Sequence, residues 1–147
     1  MALFLFRGGI SEMEKYKINE ANQFKFFQIP KELFINRCYR CKLNSDTKLT
    51  YTLLLDRMHL SEKNKWVNHR DEIYLLYTKE DIANILGISV RTVYKAFKVL
   101  EECELIYQKR QGLNMPNRIY IGKFRPDFTM TCNICTSEHE NHTATNM

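Results

Sequence analysis

No run of apolar residues in this sequence approaches the ~20 needed to cross a membrane, so a membrane-spanning helix is excluded and no membrane partner is expected. The opening Met1–Phe6 is apolar but short, and no positive charge leads it, so it does not read as a signal peptide. The expected location is the cytoplasm. Internal repeats and low-complexity tracts are missing. The five cysteines (Cys38, Cys41, Cys103, Cys132 and Cys135) are odd in number. Without a secretion signal, that count argues against a disulfide scaffold. A phosphate-cradling G-x-x-x-x-G-K-[ST] loop is also missing, so ATP use has no support and no cofactor is expected.

What is present suits one globular domain with short extensions. Of 147 residues, 44% are hydrophobic and 12% aromatic, enough for a core that folds unaided. Charge is unevenly spread. Residues 85–125 hold Arg91, Lys95, Lys98, Lys109, Arg110, Arg118, Lys123 and Arg125 against Glu101, Glu102 and Glu104, a net +5 that equals the excess of the whole chain. Residues 126–147 carry three acids and no Lys or Arg. A local positive excess favours a polyanion through phosphate contacts and counterion release.

The chain divides into a loose leader (1–23), an ordered domain (24–125) and a flexible polar tail (126–147). Met13 is an alternative start to Met1. Pro30 suits the first position of a helix over Lys31–Tyr39. Ser45 or Asp46 suits the cap of a longer helix ending near Leu60, with Leu49, Leu53, Leu54 and Met58 at core spacing. Ser61–His69 reads as a loop into which Trp66 packs. Asp56–Arg57 reads as a surface or interface pair, and Ile73–Tyr77 as a strand.

Thr78 then caps a helix over Lys79–Leu86, and Gly87–Ile88 turns the chain. Ser89 caps a second helix over Val90–Cys103. Ile82, Ala83 and Leu86 face inward from the first helix. Val93, Ala96, Phe97 and Leu100 form the inward stripe of the second, which leaves Arg91, Thr92, Lys95 and Lys98 outward. Small Ala83 at the crossing, glycine at the turn and Ile88 as its plug make this a helix-turn-helix, whose second helix can enter a major groove. Leu105–Gln111 and Arg118–Gly122 read as strands around a turn-rich loop. Lys109, Arg110, Asn117 and Arg118 then form a wing that places cations on phosphates. The expected class is α+β, mainly helical: a winged helix-turn-helix with a small antiparallel sheet. The candidate DNA-binding residues are Ser89, Arg91, Thr92, Lys95, Lys98, Lys109, Arg110, Asn117 and Arg118.

Several blocks resemble the replication initiator protein A N-terminal family (RepA_N), found on plasmids and integrative elements of low-GC Gram-positive bacteria. They are Phe27–Phe34, Leu53–Ser61 with Asn64 and Trp66, Ile73–Thr78, Lys109–Leu113 and Pro116–Tyr120. The likeness runs over roughly residues 24–124. It implies sequence-specific binding of double-stranded DNA at origin repeats, often as a homodimer. It also implies a separate C-terminal domain, distantly similar to primosomal DnaD proteins, that works with the host replication machinery. The sequence stops soon after the wing, so the expectation is a shortened initiator or its N-terminal part.

Two other function classes compete with this reading. A winged-helix transcriptional regulator would use the same fold. A metal-dependent nickase would need two histidines around a hydrophobic residue and a tyrosine nucleophile. His139 and His142 enclose polar residues instead, so no catalytic residue is assigned and the protein is expected not to be an enzyme. Cys132, Cys135, His139 and His142 are weak metal candidates. Their Cys-to-His gap is far shorter than the roughly 12 residues of a zinc finger. Cys38 and Cys41 read as half-buried helix residues, with a four-thiolate site shared with Cys132 and Cys135 as the lesser alternative.

Overall fold

The computed structural model describes residues 3–6, 9–20 and 24–125. The expected flexible tail, with the metal candidates Cys132, Cys135, His139 and His142, lies outside the described residues. β1 (Leu3–Phe6) and β2 (Gly9–Glu12) pair as an antiparallel hairpin, Leu3 opposite Glu12.

The single helix expected over Lys31–Tyr39 is two: α1 (Glu32–Ile35) and α2 (Arg37–Lys42). Asn36 breaks them. Its backbone is extended at φ −68°, ψ 121°, and its side chain accepts the Cys38 amide hydrogen, capping α2. A short polar side chain that bonds nearby backbone favours such a break over helix continuation.

α3 (Ser45–Lys63) is capped by Asn44 rather than by Ser45 or Asp46, and it runs past Leu60 into the expected loop. Asn44 Oδ1 accepts from the Thr47 amide at 2.9 Å. The buried face of α3 follows the expected stripe only in part, with Met58 packed against the core as expected. Leu53 and Leu54 are buried, but Leu49 is 41% exposed, while Thr47, Thr50, Tyr51 and Thr52 go inside. Buried threonines are tolerated here because Thr50 and Thr52 hydroxyls donate to the carbonyls of Asp46 and Lys48, four residues back. Asp56 is exposed, and Arg57 lies over the Tyr77 ring rather than pairing with it.

Beyond α3 an isolated bridge, Val67 to Ile73, precedes a strand reduced to β3 (Leu75–Leu76). α4 (Lys79–Leu86) and α5 (Val90–Glu102) follow with the expected caps. Thr78 Oγ1 accepts from the Asp81 amide, and Ser89 Oγ from the Thr92 amide, each at 3.1 Å. Gly87 ends α4 at φ +66°, a left-handed conformation that a side chain would penalise. The Ile88 amide reaches back to the Ala83 carbonyl and closes the turn.

β4 (Ile106–Lys109) and β5 (Arg118–Ile121) are each shorter than expected. They complete an antiparallel sheet of order β3-β5-β4, with Ile106 opposite Ile121 and Leu75 opposite Ile119. One core joins all of this. Leu33 and Tyr39, Tyr51 and Leu54, Ile82, Val93, Phe97 and Leu100, Leu105 and Ile119 are buried in one cluster. The inward stripe of α5 is buried throughout. Phe124 seals the far side, its ring edge-on to Tyr39 and Tyr51 at 5.6 and 5.7 Å. The fold is a winged helix-turn-helix with three additional helices packed behind it.

Candidate nucleic-acid interface

Burying Val93, Ala96, Phe97 and Leu100 fixes the rotation of α5 about its own axis. Helical periodicity then forces Arg91, Lys95 and Lys98 outward, and all three are exposed. None of them makes an ion pair among the described residues. Ser89 and Thr92 play a structural part as well, since their hydroxyls lie 2.8 Å apart and Ser89 also accepts from the helix backbone. The two therefore hold the first turn of α5 in place, next to Arg91.

The wing brings the other candidates alongside. A hollow of about 510 Å³ opens beside α5 and the wing, lined by Arg91, Lys95, Lys98 and Glu101 of the helix and by Gln108 and Asn117. Lys109 and Arg110 are exposed at the base of the wing loop. Arg118 differs from them. Its guanidinium lies over the Tyr74 ring at 4.5 Å, and its Nε donates to Gln111 Oε1 at 3.1 Å. Gln111 in turn donates to the Pro116 carbonyl at 2.8 Å, so Arg118 braces the wing loop. The wing is also fixed at its foot. Glu104, at φ +56°, turns the chain out of α5, and the Gly122 amide donates to the Leu105 carbonyl at 2.8 Å. A Cβ on Gly122 would collide with the Glu104 carbonyl oxygen.

The sequence pattern does not single out Lys79, yet this residue links the parts. Its ammonium donates to Gln108 Oε1 of β4 at 3.1 Å and sits 4.6 Å from the Phe97 ring and 4.9 Å from the Tyr94 ring of α5. Gln108 passes the link on, donating to Glu101 Oε1 at 3.0 Å. Burial lowers the Lys79 pKa, against the opposing pull of Glu101 and Glu80. A lysine at the first position of α4 reads locally as a solvated charge. Only the tertiary arrangement of α5 and β4 shows otherwise. Tyr94 is likewise absent from the sequence-based candidates, and it stands exposed between the α5 cations.

Cys38 and Cys41 are half-buried on α2 and Cys103 is buried. No cluster of three or more metal-ligating side chains occurs among the described residues. No described helix is long and apolar enough to cross a membrane.

Comparison with known proteins agrees with this geometry. Residues 25–133 match the family model described as the N-terminus of replication initiator protein A (RepA). A 41 kDa protein of Lactobacillus helveticus is 29% identical over 133 residues; the match takes in 86% of the present chain but only 37% of that protein's length. A solved N-terminal domain of a DNA binding protein is 34% identical with a TM-score of 0.61, covering 85% of this chain and 91% of its own. A Rep protein solved in complex with DNA is 38% identical, also with a TM-score of 0.61, over 75% and 84% of the two chains. An MDR initiator is 32% identical with a TM-score of 0.60, over 84% and 93%.

Proposed function

The chain belongs to the replication initiator protein A N-terminal family, and from that premise we propose that it is the origin-binding part of a plasmid or mobile-element initiator. It binds double-stranded DNA in the cytoplasm, reads sequence with α5 and steadies itself with the wing. The observation that carries this reading is the outward row Arg91, Lys95 and Lys98 facing the wing across an open hollow. Exposed cations on a groove-sized helix give sequence-dependent contacts to base edges. Lys109 and Arg110 add phosphate contacts that carry no sequence information. The proposal assigns no catalytic residue: binding, not bond cleavage, is the work of this part.

The protein acts as a homodimer on repeated sites. Phe24, Phe26, Phe27 and Ile29, ahead of α1, and Phe34 and Ile35, within it, stand exposed and supply apolar surface for a second copy. In the complete initiator, this DNA-bound part would present the rest of the protein to the host replication machinery.

The test is to select bound duplexes from a random pool and locate the selected sequence in the element that encodes the protein. Clustered repeats beside an origin are expected. A single promoter palindrome would make the protein a transcriptional regulator, and failure to enrich any sequence would overturn the proposal.

A further inference from the structure

The wing sheet has a second face, turned away from α5, and it is aromatic. Tyr107 and Tyr120 are register partners on β4 and β5, with ring centroids 6.2 Å apart and ring planes tilted by 34°. Tyr74 continues the row, 6.3 Å from Tyr120. Side chains alternate along strands, so Lys109 and Arg118, which also face each other in register, share this face with the tyrosines. Ile106 and Ile119 point the other way and are buried, while Tyr107 is 63% exposed.

Beside the row lies an open hollow of about 830 Å³, between the sheet, α3 and the loop of residues 68–73. Leu55 and Met58 contribute apolar floor; Lys109 and Lys123 line it from the sheet side, and Arg70, Asp71 and Glu72 from the loop. The Glu72 carboxylate is engaged by the Asn68 amide at 2.7 Å. With Arg118 on the adjoining row, cations outnumber carboxylates around the whole feature.

A solvated sheet face is ordinarily polar. Core packing explains Ile106 and Ile119 but not three neighbouring tyrosines interleaved with cations on the opposite face. Aromatic rings beside an open hollow, flanked by positive charge, match the chemistry of an unpaired strand: bases stack on the rings while cations follow the phosphates. A duplex cannot use such rings, because its base faces are already stacked on each other.

We infer that the outer face of the wing sheet is a second nucleic-acid site. It holds a short stretch of single-stranded DNA, with unpaired bases stacked on Tyr107 and Tyr120 and phosphates met by Arg118 and Lys123. Lys109 stands at the border between this site and the duplex interface. The site also gives Arg118 a place in binding that its brace to Tyr74 and Gln111 permits, since a guanidinium stacked on a ring keeps its other edge free. The inference goes beyond duplex recognition and does not depend on α5 reading sequence.

The experiment uses the full chain and two labelled probes, an oligothymidylate and the selected duplex, with binding followed by fluorescence anisotropy. The parent protein is expected to bind oligothymidylate saturably. Tyr107→Ala should weaken that binding roughly 5- to 150-fold, the range for one lost base stack, and leave duplex affinity unchanged. Tyr107→Phe, which keeps the ring, should restore it. Arg91→Ala should do the reverse, weakening the duplex only. Lys123→Glu should weaken oligothymidylate and decides the matter if Tyr107→Ala fails to fold. No binding of oligothymidylate by the parent, or full binding by Tyr107→Ala or Lys123→Glu, would overturn the inference. Equal losses on both probes would overturn it too, by showing one shared site. Dissociation of a homodimer by Tyr107→Ala in sedimentation would make the face a contact between copies instead.

Discussion

α5 and the wing both carry cations, but they hold them differently. Arg91, Lys95 and Lys98 have no ion pair among the described residues, and the helix beneath them is fixed by a fully buried stripe. The wing has a two-stranded body with little core of its own. It depends on ties: Arg118 to Tyr74 and Gln111, Gln108 to Lys79 and Glu101, and Gly122 against the end of α5. The helix is rigid with free charges, as base reading requires. The wing is held at discrete points with its loop exposed, as phosphate contact tolerates.

The largest effect that would separate the two is on stability. Gly122→Ala should drive a methyl into the Glu104 carbonyl, where backbone cannot easily yield, and overpacking of this kind costs about 1–3 kcal/mol. Urea unfolding should show the loss, and hydrogen exchange should rise first in β4 and β5, with α5 least affected. Uniformly faster exchange would mean that the wing and α5 are one cooperative unit.

Arg91→Ala should leave stability unchanged and cost about 1–3 kcal/mol of binding to the selected site if it makes a bidentate base contact. Binding to random duplex should fall much less. Equal losses on both would move Arg91 from reading to phosphate contact.

Lys79→Met keeps the stem against Phe97 and Tyr94 but removes the donor to Gln108. A charged hydrogen bond contributes about 1.5–3 kcal/mol, less where the group is partly solvated, so a stability loss of about 1 kcal/mol is expected. The salt dependence of DNA binding should not change. A shallower slope would show that Lys79 touches phosphate directly.

The smallest effects belong to Lys109→Ala and Arg110→Ala. Each should weaken specific and random duplexes alike and lower the slope of log K against log salt by about 0.9. An unchanged slope in the double variant would remove the wing loop from the interface.

The helix-turn-helix was legible in the sequence because its determinants are local. Thr78 and Ser89 cap, Gly87 turns, and a stripe of uniformly apolar residues marks the inner face of α5. α3 was legible as a helix with Leu53, Leu54 and Met58 inward, but not in the rest of its buried face, where Thr47, Thr50 and Thr52 join Tyr51 and back-bonded hydroxyls carry no hydrophobic period. Asn36 and Asn44 were missed because a capping asparagine is defined by the conformation it adopts. On the candidate surface, Arg91, Lys95 and Lys98 of α5 and Lys109 and Arg110 of the wing are exposed, as their spacing predicts. The brace role of Arg118 and the link through Lys79 depend on partners 44 and 29 residues away in sequence (Tyr74 and Gln108), and no local pattern encodes them.

The central claim is that one surface, formed by α5 and the wing loop, meets the duplex. Amide chemical-shift mapping on adding the selected duplex tests it directly. Perturbations should cluster at Ser89–Lys98 and Lys109–Arg118 and leave α1 and α2 quiet. A cluster on α2 and α3, with Arg91, Lys95 and Lys98 unperturbed under saturating duplex, would contradict it.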